Sequence, residues 1–105
     1  MNYMQLSEEL QKKIRTYLGF GIRAGKVVYD TDNIICLKKG ALILIDTALS
    51  DNSKNKLNNF AVKTGSTVFI IENVTALGAP SSCKALALKE QNLASEIIKL
   101  LESNK

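Results

Sequence analysis

The sequence predicts an alternating α/β domain, a central sheet with helices on both faces. Helical three- and four-residue apolar periodicity and short apolar runs succeed one another segment after segment. Two of those runs, Ala41 to Ile45 and Thr67 to Ile71, lack the polar alternation of a half-exposed strand, which marks strands covered on both faces. Nothing resembles a linker: Pro80 is the single proline, and no low-complexity stretch or repeat is visible. The 105 residues are therefore expected to form one domain around one core.

The elements follow in order. Leu6, Leu10, Ile14, Tyr17 and Leu18 place an amphipathic helix over Ser7 to about Ala24. Ser7 is its N-cap, Glu8 and Glu9 suit the positive helix start, and Glu8–Lys12 and Glu9–Lys13 are favourable i,i+4 pairs. Val27-Val28-Tyr29 is a short strand. Asp30 or Thr31 caps a second helix expected to run to Lys39, with Ile34, Ile35 and Leu37 inward, Cys36 buried among them and Gly40 as its stop. The strand Ala41 to Ile45 comes next. A third helix starts at Ser50 or Asp51 and ends at Gly65, with Leu57, Phe60 and Ala61 buried and Lys54, Lys56 and Lys63 solvated. The strand Thr67 to Ile71 leads to a loop over Asn73 to Cys83 holding one helical turn. Ala85 to Leu88 is the last strand, and Leu93, Ala94, Ile97, Ile98 and Leu101 set a final helix against it. Strand order is not fixed by these patterns.

Composition narrows the chemistry. Histidine is absent, which removes the commonest general base and metal ligand and every Ser/His or Cys/His pair. Cys36 and Cys83 alone cannot make a structural zinc site, and reduced thiols in a cytoplasmic protein are the expected state. Lys84 beside Cys83 is a poor thiol activator, because strand neighbours point to opposite faces. No apolar run approaches the roughly 20 residues of a membrane span, and Met1 to Leu10 lacks the basic and apolar stretches of a leader. Asp30, Asp32, Asp46, Asp51 and Glu72 fall at strand ends and helix starts, where capping and turn roles come first.

Two patterns remain. Gly19 to Ala24 matches the dinucleotide string G-x-G-x-x-G/A, but that motif must leave a strand and open a helix. Here it follows a helix and precedes a strand, so its small residues are read as allowing close packing. Net charge is only +4, yet residues 10–29 carry Lys12, Lys13, Arg15, Arg23 and Lys26 and no acid. That local surplus suits an anionic partner, RNA or DNA above all, or else a solvated helix face. The turns at Gly25-Lys26, Asp30-Thr31-Asp32 and Val74 to Gly78 are separated in sequence by strands, and an alternating sandwich can gather them on one side. Short polar side chains there can reach base edges, and an apolar loop can lie against unstacked bases.

At these residues the chain resembles the small bacterial members of the kink-turn RNA-binding ribosomal protein family, the L-seven-Ae and L-thirty-e kind. The likeness runs roughly from Leu10 to Leu101. It rests on Gly19-x-x-x-Arg23-Ala24-Gly25-Lys26-Val27-Val28, Leu42 to Ile45 followed by Asp46, the Ser50-Asp51-Asn52-Ser53 helix start, and Ala76-Leu77-Gly78 before a short strand. It implies a three-layer α/β/α sandwich around a four-stranded mixed sheet, and a non-catalytic protein that binds sharply bent RNA containing tandem G·A pairs. Ribosomal RNA or another kink-turn RNA is then the expected partner, with ribosome association, and no cofactor, metal, membrane or small-molecule substrate is implied.

Carried over residue by residue, Gly25 and Lys26 match the family's Gly-Lys, with Lys26 on the phosphate backbone. Arg23 and Lys12 or Arg15 would add phosphate contacts. Val74, Thr75, Ala76, Leu77 and Gly78 match the apolar loop that supports splayed bases. The segment that reads the G·A pairs, Gly-x-Asn-Glu or Ser-Gly-Glu-Glu in the family, stands here as Tyr29-Asp30-Thr31-Asp32. Thr31 and Asp32 are shorter readers, the small residue is gone, and a basic position on the following helix is Ile35. Losing one bidentate base contact costs roughly 1–3 kcal/mol. A protein–protein adaptor that kept the sandwich and lost RNA recognition is the alternative. The RNA reading needs Lys26, Thr31 and Leu77 on one rim of the scaffold.

Overall fold

Ser7 starts the first helix as its sequence predicts: its Oγ accepts the Leu10 amide at 3.2 Å, and Glu8 and Glu9 occupy the first turn. The computed structural model describes residues 6–40, 42–78 and 83–103. Helix α1 spans Glu8–Arg23, strand β1 Val27–Tyr29, α2 Thr31–Ile34, β2 Leu42–Asp46, α3 Asp51–Thr64 and β3 Thr67–Ile71. A 3₁₀ turn at Val74–Leu77, strand β4 at Ala85–Leu88 and helix α4 at Gln91–Ser103 complete the chain. Met1 to Gln5, Ala41 at the expected strand start, and Pro80, Ser81 and Ser82 lie outside the described residues.

The strands form one mixed sheet in the order β1-β4-β2-β3. Strands β2 and β3 pair in parallel across the α3 crossover, and β4 runs antiparallel to both β1 and β2. Strands β1, β2 and β3 therefore all point the same way. Their C-terminal ends and the start of β4 make one rim of the sheet, here the upper rim. Their starts and the end of β4 make the lower rim.

Period-two alternation divides the core. Leu42, Leu44, Phe69, Ile71, Leu86 and Leu88 turn to α1 and α4, packing with Ile14, Leu18, Ile97 and Leu101. Ile43, Ile45, Ala85 and Ala87 turn the other way, against Ile34, Leu57, Phe60 and Ala61. Every residue of β2 and β4 is buried, which is why these runs carry no polar alternation. The result is the three-layer α/β/α sandwich around a four-stranded mixed sheet.

Several expectations are corrected. Strand β3 lies at the sheet edge, and Thr67, Val68 and Ile70 are only half-buried, so this run is not covered on both faces as β2 is. Helix α2 stops at Ile34 rather than Lys39. The Cys36 and Leu37 amides bond three residues back, to Asn33 and Ile34, so the helical ladder tightens and ends. Ile34 is buried and Leu37 half-buried, but Ile35 is exposed, and so short an apolar stripe cannot hold a longer helix. Cys36 is exposed because it follows the helix end. Lys54 is buried rather than solvated, and its Nζ donates to the Thr47 carbonyl at 2.9 Å, tying the β2–α3 turn.

The Gly19 to Ala24 string does pack closely. A Cβ on Gly21 would stand 2.6 Å from Leu88 Cδ1, so α1 rests on the end of β4 only because that position has no side chain.

Candidate nucleic-acid interface

The upper rim is assembled from residues distant in sequence. The Asp30 amide donates to Ala85 O at 3.1 Å, the Asp46 amide to Lys84 O at 2.8 Å, and the Thr47 amide to Ile71 O at 3.0 Å. These bonds align the β1–α2 turn, the end of β2 and the end of β3 along one edge. The β1 and β2 ends are two strand spacings apart, about 10 Å.

The Val74 to Gly78 loop is held there by two side chains. Asp46 is buried; its Oδ2 accepts the Val74 amide at 3.1 Å and its Oδ1 the Ala48 amide at 2.8 Å. Arg15, from α1, grips the other end of the loop: Nε donates to the Ala76 carbonyl at 3.0 Å, and Nη2 bonds the same oxygen. Val74 and Leu77 point inward as anchors, while Thr75 and Ala76 are half-exposed. Thr75 Oγ1 donates to Asn73 Oδ1 at 2.6 Å, and Gly78 closes the turn at φ 101°, a conformation side-chain-bearing residues avoid. The loop's apolar character is therefore mainly core anchoring, and its outer face is Thr75, Ala76 and Gly78.

The β1–α2 turn presents Asp30, Thr31 and Asp32. Asp30 has φ 74° and ψ 141°, a backbone state that suits glycine and that stores strain in any other residue. Its peptide is fixed by the Ala85 bond, and Asn33 Nδ2 donates to the Tyr29 carbonyl at 3.0 Å. Thr31 is half-buried and Asp32 exposed, with both side chains unbonded among the described residues.

Cys83 lies beneath this rim. It is buried, and its thiol donates to the Ala85 carbonyl at 2.8 Å. Burial pushes its pKa up, hydrogen bonds to the backbone of Ala85 and Asp30 pull it partly back, and the nearby Asp30 and Asp46 carboxylates add a smaller upward push. It is a protonated, packed thiol. Tyr29 is also shifted up, by burial first and then by Cys83.

Not all expected residues meet here. Asp30, Thr31, Asp32, Val74, Thr75, Ala76, Leu77 and Gly78 share the upper rim; Arg23, Gly25 and Lys26 do not. Lys26 precedes β1, and its carbonyl accepts the Lys89 amide at 2.8 Å, so it stands on the lower rim. It is four residues, about 13 Å of extended chain, from Asp30. Arg23 ends α1 on the same lower side, its guanidinium 5.0 Å from the Phe20 ring centre. The expectation that Lys26 shares one cradle with Thr31 and Leu77 is corrected accordingly, because even a three-residue strand carries the chain to the opposite rim. Asp46 and Arg15 were missed as loop-positioning residues. An acid ending an apolar strand is a legible turn signal, but its partner is 28 positions on and that of Arg15 is 61 positions on.

Known structures share this architecture. A protein of unknown function from Bacillus halodurans superposes with a TM-score of 0.74 at 15% identity, over 86% of this chain and 97% of its own. The Giardia lamblia 15.5-kD RNA-binding protein superposes with a TM-score of 0.67 at 16% identity, over 95% of this chain and 93% of its own. No family model matches the chain, and no curated protein does. At these identities what is shared is the fold, which by itself assigns no activity.

Proposed function

We propose that the protein is a non-catalytic RNA-binding protein that recognises structured, kink-turn-like RNA through its upper rim, in association with the ribosome. The observation that carries this reading is the convergence of the Thr31-Asp32 turn and the Val74 to Gly78 loop on one rim of a scaffold shared with an RNA-binding protein. Thr31 and Asp32 offer an unbonded hydroxyl and carboxylate to base edges. The pinned loop offers a firm surface to an unstacked base, ordered before the RNA arrives.

Asp30 and Asp32 favour a second reading, because two exposed carboxylates on the reading turn repel phosphate. On that reading the rim docks a protein. Titration against a kink-turn RNA and a variant lacking its G·A pairs, at two salt concentrations, separates the two. The RNA reading predicts a preference of about tenfold that persists at the higher salt. Equal binding lost steeply with salt would reduce the interaction to phosphate attraction, and no binding to either RNA would leave the adaptor reading.

A further inference from the structure

The lower rim gathers a cluster of exposed lysines. Lys26 before β1, Lys38 and Lys39 before β2, and Lys89 after β4 surround one open cavity of about 1170 Å³. All four are exposed, and none makes an ion pair among the described residues. The one acid in the lining, Glu90, is engaged: its Oε2 accepts the Leu93 amide at 2.6 Å and caps α4. Four ammonium groups from three separate segments thus share this lining with a single carboxylate, which leaves a local surplus of three positive charges. Such a concentration of one charge raises the local density of anions.

We propose that this lower rim is a second RNA contact, a surface for the phosphodiester backbone of an RNA helix, distinct from the rim that reads structure. The lining favours this partner over an acidic protein. Protein interfaces are depleted of lysine at their centre and are anchored by aromatic or apolar side chains. Here the exposed lining is lysine with small polar groups such as Ser95, and the apolar lining residues, including Leu37 and Ile98, are buried or half-buried. Lysine is a point charge that tolerates varied phosphate geometry, which suits affinity without sequence readout. The two rims lie at opposite ends of the sheet in a molecule 31 × 30 × 25 Å across. The protein would then stand between two RNA segments, one read for its shape and one held by its charge.

This inference rests on the reading that RNA is the ligand, but its residues and its readout are separate. The test uses the full chain, a plain RNA duplex without bulges, a kink-turn RNA and its variant lacking G·A pairs, and a polyglutamate competitor. The triple variant Lys38→Ala/Lys39→Ala/Lys89→Ala changes exposed side chains only, and thermal melting checks its fold. It is expected to weaken all three RNAs about tenfold or more and to lower the slope of log affinity against log salt by about 3, one per lost phosphate contact. The ratio between kink-turn and variant RNA, which reports on the upper rim, is expected to stay unchanged. Loss of duplex binding in the triple variant without any kink-turn preference in the wild type would uphold the lower rim and overturn the proposed upper-rim function. An unchanged salt slope, or displacement of the duplex by polyglutamate at equal charge concentration, would overturn the lower-rim proposal while leaving a kink-turn preference intact.

Discussion

Asp46 binds Val74 across 28 positions of sequence, and that bond fixes where the candidate RNA loop stands. One carboxylate oxygen takes the Val74 amide and the other takes the Ala48 amide, so a single buried side chain holds the β2–α3 turn and the loop in register. Replacing it with alanine leaves two amides without their acceptor. Asp46→Ala is expected to lose about 1–3 kcal/mol, read as a lower urea midpoint with an unchanged slope. It should also lose the kink-turn preference. Full stability in Asp46→Ala would mean that the loop is held by Val74 and Leu77 packing alone.

Arg15 is exposed, and its two bonds to the Ala76 carbonyl position the loop from the α1 side. Arg15→Ala is therefore expected to cost no more than about 1 kcal/mol of stability while lowering RNA preference severalfold. Arg15→Lys keeps the charge but not the forked donor, so it should restore little of that preference. Full rescue by lysine would make Arg15 a simple phosphate contact.

Asp30 occupies a backbone state suited to glycine. Asp30→Gly relieves about 1–3 kcal/mol of strain, partly offset by the greater freedom of glycine in the unfolded chain. A net gain of about 1 kcal/mol, seen as a higher Tm, is expected. The same change removes a carboxylate from the reading turn and should tighten every RNA alike. A lower Tm would show that the Asp30 side chain stabilises the turn.

Cys83 and Cys36 should differ sharply toward an alkylating reagent. Exposed Cys36 is labelled in the native protein, and buried Cys83 only after unfolding. Folding raises the Cys83 pKa, so the folded state favours the neutral thiol. Its contribution is full below the unfolded thiol pKa and is lost as pH rises through the folded value. Tyr29, also raised, acts in the same direction at higher pH. Stability should therefore fall on the alkaline side, less steeply in Cys83→Ser, and native labelling of Cys83 would contradict the burial.

Much of the fold was legible because its signals are local. Ser7 and Ser50 announce their helices by capping chemistry, and both accept the amide three residues on, at Leu10 and Ser53. Leu42 to Ile45 reads as a strand covered on both faces because both faces are in fact covered. The boundary of α2 was not legible: Ile35 and Leu37 fit a helical stripe, and only the amount of sheet left to cover decides that Ile34 suffices. The site was half legible. Thr31 and Leu77 meet on one rim, but Lys26 does not, since which rim a turn occupies depends on strand direction, and periodicity carries none. The lysine cluster was invisible for the same reason, because Lys26, Lys38, Lys39 and Lys89 are brought together only by the antiparallel run of β4.

The most direct measurement is the pattern of backbone amide shifts when labelled protein is titrated with a kink-turn RNA. Perturbations at Thr31, Asp32 and Thr75 to Gly78 on the upper rim are expected, with weaker, salt-sensitive shifts at Lys38, Lys39 and Lys89. Shifts confined to the lower rim, with Thr31 and Ala76 unmoved at saturation, would contradict recognition by the upper rim.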